Sequence, residues 1–134
     1  MAYDSLGSAV GTITDWNVNK RHVVKGVVFF MAGALSDIPR LIAAWFGEDV
    51  GKKVECSALV IDADKRLWEC AVCDEGGFWK QQIYPGNPRA IGSGWQFALT
   101  AMDMGADART AVKMAMKRDM GTGGRIRVHR VADR

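Results

Sequence analysis

Apolar and polar positions alternate between two rhythms along this chain, and the changes of rhythm mark out its elements. Val27 to Met31 is a short run of β-branched, aromatic and apolar residues ending near Gly33, which reads as a buried strand. Ser36 and Asp37 then offer capping oxygens, Pro39 suits a first helical turn, and Ile38, Leu41, Ile42 and Trp45 share one helical face up to Gly47. Ser57 to Asp62 and Arg66 to Val72 flank the turn-like Asp62-Ala-Asp-Lys65, predicting a β-hairpin. Phe78 to Tyr84 predicts a third strand, closed by Pro85-Gly-Asn-Pro88. Helices are expected from Gly94 through Met104 and from the acidic cap Asp107 to Arg118, where Lys113, Lys117 and Arg118 favour the negative end of the helix dipole. Gly121-Thr-Gly-Gly124 breaks that helix, and Arg125 to Val131 alternates like a half-exposed strand. Strands, helix, strands, two helices and a strand predict a layered α+β domain spanning residues 1–134.

Composition narrows the field without choosing a function. A chain of 134 residues with 49% hydrophobic content is of single-domain size and has ample apolar material for one core. No apolar run is long enough to span a bilayer, and the start lacks a basic-then-apolar leader, so a cytoplasmic location with no membrane contact is expected. Three cysteines read as reduced thiols rather than a disulfide framework. A net charge of +3 does not call for nucleic acid. Arg125, Arg127 and Arg130 could meet phosphate, but on an alternating strand such charges usually face water.

Five segments carry a more specific signal. Ala90-Ile-Gly-Ser-Gly-Trp-Gln-Phe-Ala-Leu-Thr-Ala-Met, followed by Gly105-Ala-Asp-Ala-Arg-Thr-Ala-Val-Lys-Met-Ala-Met-Lys-Arg-Asp119, resembles the strand, Gly-Ser-Gly turn and helix pair of proteasome β-subunits and the HslV protease. Met1-Ala-Tyr-Asp-Ser5 resembles that family's apolar-Ala-x-Asp-small segment, and Gly11 to Lys20 resembles the run up to its lysine, with the Asp4 to Lys20 spacing in agreement. Val27 to Gly33 resembles the strand and small-Gly turn that line its substrate cleft.

The resemblance implies an N-terminal-nucleophile hydrolase, a layered αββα sandwich of the threonine-peptidase type. It implies a compact version, because only one helix fits between Gly33 and Ala58 where the family has a long helical hairpin. Such enzymes attack with the hydroxyl of their first residue, which the terminal amine deprotonates. By resemblance Lys20 takes the role of the lysine that stabilises the developing alkoxide, and Asp4 holds that lysine charged. Ser93 and Asp119 support the amine, and the Gly33 N–H serves the oxyanion.

Met1 and Ala2 supply no nucleophile, and the strand that should bear it has no counterpart here. Two readings stay open: the start of the protein lies upstream, with Met1 internal, or the nucleophile has been lost. The expectation is therefore a peptidase-type protein inactive as written, with a non-catalytic oligomeric scaffold as the alternative. Family resemblance further implies a homo-oligomer, an ATPase unfoldase partner and a peptide or unfolded-protein substrate.

No cofactor or metal is expected. Cys70 and Cys73 lie three apart on a strand and so face opposite ways, no second pair exists, and His22 and His129 lack ligand spacing. In HslV-like proteins backbone carbonyls of the loop matching Gly121 to Gly124 can hold a monovalent cation, and the resemblance would put such a site near Arg118, Gly121 and Gly124. Met102, Met104, Met114, Met116 and Met120 read as helix packing or an interface between copies.

Overall fold

The computed structural model describes residues 1–4, 6–9, 12–51 and 53–130. Ser5, Gly11 and Val131, which enter the sequence comparison, lie outside the described residues. The chain forms two compact units, residues 21–87 and residues 1–20 with 88–134.

The first unit is an antiparallel meander of five strands, β4 (Arg21–Val24), β5 (Val27–Gly33), β6 (Cys56–Ile61), β7 (Leu67–Val72) and β8 (Phe78–Ile83), each paired with its neighbour in sequence. Lys25 and Gly26 both adopt positive φ between β4 and β5, as a two-residue hairpin turn demands. Helix α1 (Ile38–Trp45) follows β5 through a short 3-10 turn at Leu35–Asp37. Alternation places Val27, Phe29 and Met31 of β5, Cys56, Ala58 and Val60 of β6, and Cys70 and Val72 of β7 in one buried cluster with Ile38, Leu41 and Ala44 of α1. Phe29 meets Trp45 edge to face, with ring centroids 5.8 Å apart.

The single helix stands where one was expected, but its N-terminus is secured differently. Neither Ser36 nor Asp37 caps it. The 3-10 turn leaves Asp37 in helical rather than extended conformation (φ −95°, ψ −4°), so its carboxylate points away from the helix amides. It accepts instead from the Glu55 N–H at 2.8 Å and from Arg40 Nη1 at 3.1 Å, stapling α1 to the chain entering β6. At the other end of the cluster Lys80, on β8, lays its ammonium 4.7 Å from the ring of Trp45 and 4.6 Å from that of Trp68. The Trp68 Nε1–H donates to Asp62 at 2.9 Å. The Asp62 carboxylate also accepts the backbone N–H groups of Asp64 and Arg66, which closes the β6–β7 turn read from the sequence.

The second unit joins the two chain ends. β1 (Ala2–Tyr3) pairs antiparallel with β9 (Arg127–Val128), and the register continues into hydrogen bonds exchanged by Met1 and His129. β2 (Gly7–Ala9) and β3 (Thr12–Asp15) form a hairpin. Helices α2 (Trp95–Asp103) and α3 (Ala108–Arg118) pack through small residues, with Ala98, Ala111 and Ala115 buried between them. Asp107 caps α3 as expected, accepting from the Thr110 N–H at 2.8 Å. Among the described residues the C-terminal strand covers only two of the positions expected from Arg125 onward, because its partner β1 is itself only two residues long.

Candidate functional site

The Lys20 ammonium lies 2.6 Å from Asp4 Oδ1. Asp4 follows β1 directly and is buried, so its second oxygen needs a donor of its own. The Gly123 backbone N–H supplies it, at 2.8 Å from Oδ2. A carboxylate held on both oxygens cannot swing away from the lysine.

Ser93 stands in the turn before α2 and Asp119 just past the end of α3, and the Ser93 hydroxyl donates to Asp119 Oδ2 at 2.6 Å. The Thr122 hydroxyl donates to the same oxygen at 2.5 Å. Burial raises the Asp119 pKa, but the hydrogen bonds from Ser93, Thr122 and the Gly121 N–H outweigh it and hold the carboxyl below its ordinary value. Side chains at the neighbouring glycines would crowd this contact. A Cβ on Gly94 would stand 2.6 Å from Thr122 Oγ1 and 3.1 Å from the Ala115 Cβ, and one on Gly121 would stand 2.5 Å from Ser93 Oγ.

The chain from Asp119 to Gly123 therefore serves both pairs, carrying Asp119 and Thr122 for Ser93 and the Gly123 N–H for Asp4. All four expected polar residues, Asp4, Lys20, Ser93 and Asp119, are engaged in this one unit. Thr122 and Gly123 were not singled out from the sequence. Their signal was Gly121-Thr-Gly-Gly124, which reads locally as a helix breaker.

Arg127 also departs from the sequence reading, which turned its charge to water. Its guanidinium donates to the Val18 carbonyl at 3.1 Å and to Asn17 Oδ1. Gly33 belongs to the other unit, where it ends β5 with φ +119°. A Cβ there would lie 2.4 Å from the Glu55 carbonyl oxygen and 2.6 Å from the Cys56 Cα, so only glycine fits.

The Met1 amine, which would be the base if Met1 were a nucleophilic first residue, donates to the His129 carbonyl at 2.6 Å. Desolvation and the charge of Arg130 lower its pKa. Among the described residues no group of three His, Cys, Asp or Glu is placed to hold a metal ion, and no helix is long and apolar enough to cross a membrane.

No family model and no curated protein matches the chain. Solved structures do. Eukaryotic HslV from Trypanosoma brucei superposes with a TM-score of 0.73 at 19% identity, covering 96% of this chain and 90% of that one. Thiobacillus denitrificans BPH in complex with epoxomicin gives 0.72 at 16%, covering 98% and 92%, and a second BPH structure gives 0.68 at 16%, covering 94% and 88%. Together with the order of elements, these matches show that the chain has the HslV and proteasome type of N-terminal-nucleophile-hydrolase fold.

Proposed function

We propose that residues 1–134 carry the supporting half of an HslV-type peptidase site and do not cleave peptides with the residues they contain. In this reading Lys20 stabilises a nucleophilic alkoxide, Asp4 keeps Lys20 charged and oriented, and Ser93 and Asp119 steady the terminal amine. The observation that supports it best is the Lys20–Asp4 pair, with Asp4 secured by the same Asp119–Gly123 segment that engages Ser93. Within residues 1–134 neither Met1 nor Ala2 offers a hydroxyl or thiol beside an amine.

The test adds a family-like strand, beginning with threonine, upstream of residue 1. The extended protein should hydrolyse fluorogenic peptides, and Lys20→Ala should lower kcat/KM by roughly 10² to 10³-fold, the usual effect of removing one electrostatic stabiliser. Peptide cleavage by the unextended 134-residue chain would overturn the proposal.

A second reading, a non-catalytic scaffold built from several copies, draws on the apolar surface of α2, α3 and the residues just past their C-terminal ends. Met104 and Met120 are each 85% exposed, and Trp95, Phe97 and Met114 are exposed as well. Either role would suit a homo-oligomer in the cytoplasm, and the peptidase role would suit an ATPase unfoldase that delivers unfolded chains.

A further inference from the structure

The Lys20–Asp4 contact depends on a stretch of chain with no regular structure. Residues 16–20 belong to neither helix nor strand, so no regular backbone ladder fixes their course. Val18 is nevertheless buried. Lysine adds a flexible four-carbon stem, so its ammonium stays 2.6 Å from a carboxylate only if the backbone beneath it is fixed.

One fixing group comes from the far end of the chain. Arg127 gives one guanidinium nitrogen to the Val18 carbonyl and another to Asn17 Oδ1, two and three residues before Lys20. Its main chain is the β-register partner of Tyr3, the residue immediately before Asp4. One residue thus holds both sides of the ion pair, the carboxylate side through its backbone and the ammonium side through its side chain.

From this we infer that Arg127 is the positioning residue that sets the distance between Lys20 and Asp4. It touches neither the ammonium nor the carboxylate and acts through the segment it clamps. A planar guanidinium serves two acceptors at a fixed angle, whereas a lysine at 127 would present a flexible point charge without that fixed fork. The mechanistic value of this clamp rests on Lys20 having the role proposed above, but the clamp itself can be measured without any catalysis.

The experiment follows hydrogen exchange of the Lys20 ammonium by 15N NMR in the unextended 134-residue protein. In Arg127→Ala exchange should quicken by about tenfold or more, as expected when a hydrogen bond to a charged group is lost. Arg127→Lys should restore part of the protection, and Asn17→Ala should give a smaller increase. Arg109→Ala, an exposed arginine on α3, should leave the Lys20 signal unchanged. Should Arg127→Ala not fold, Arg127→Lys and Asn17→Ala decide alone, since each removes one arm of the clamp. Unchanged Lys20 exchange in the folded Arg127 variants, or an equal increase in Arg109→Ala, would overturn the inference. Because no peptide is cleaved, the result stands apart from whether the threonine-led form is active.

Discussion

Residues 21–87 are contiguous, and each strand there pairs with the next in sequence, whereas the unit of residues 1–20 and 88–134 is closed by contacts between the two ends of the chain. The first buries large side chains, with Phe29, Leu41 and Val60 fully enclosed. The second has alanines between its helices and joins distant stretches of the chain through polar contacts, such as the Gly123 N–H to Asp4 bond across 119 residues of sequence. Apolar burial is non-directional and tolerates local design, while a hydrogen-bonded ion pair demands positions fixed to within tenths of an ångström. The candidate polar groups Asp4, Lys20, Ser93 and Asp119 all lie in the unit whose distant segments must be brought together.

The largest effect should come from the apolar side of this contrast. Phe29→Ala removes a wholly buried ring that Trp45 contacts edge to face, and should cost about 3 to 5 kcal/mol in denaturant unfolding. Amide exchange should then quicken throughout β5 and β6 more than at Asp4 and Gly123; the reverse order would break the contrast.

A smaller effect belongs to the polar side. The folded Asp119 pKa lies below its unfolded value of 3.8, so its contribution to stability is complete above that value and is lost as pH falls through the lower folded value. Asp119→Asn should therefore flatten the acid limb of the stability curve below about pH 4 and leave the curve near neutrality sloping as before. An acid limb identical in wild type and variant would show that the Ser93 and Thr122 hydrogen bonds do not favour the charged form.

The mildest test concerns thiols in the meander alone. Burial pushes the Cys56 pKa up to about 11 and that of Cys70 up to about 12, whereas Cys73 is exposed just past β7. Ellman's reagent at pH 7.5 should modify one thiol per native chain, and Cys73→Ser should abolish the fast reaction.

What could be read from the sequence follows the same division. The β5, β6, β7 and β8 strands and all three helices carry their own periodicity, and each forms within a residue or two of its expected limits. The hairpin of β2 and β3 and the edge strand β4 were not foreseen, because Gly7-Ser-Ala9 and Arg21-His-Val-Val24 lack a bounded apolar run. Asp4, Lys20, Ser93 and Asp119 were visible only through the order of family-like segments, since nothing in their local spacing points to one another. Arg127 was hidden by its own regularity. Alternation says which way a strand residue faces but not that the carbonyl waiting there belongs to Val18, and Thr122 and Gly123 were masked by a glycine run that locally signals only the end of a helix.

Lys80 has a consequence beyond packing. β8 is the last strand of the five, so among the described residues one side of its backbone has no strand beside it, the kind of edge on which other chains can polymerise. A lysine in mid-strand, turned toward the core face and held there by two indoles, would force any β-strand added at this edge to bury an ammonium already committed elsewhere. The opposite edge, β4, is only four residues long and carries Arg21 and His22. The meander thus carries a guard against amyloid-like growth at both of its borders.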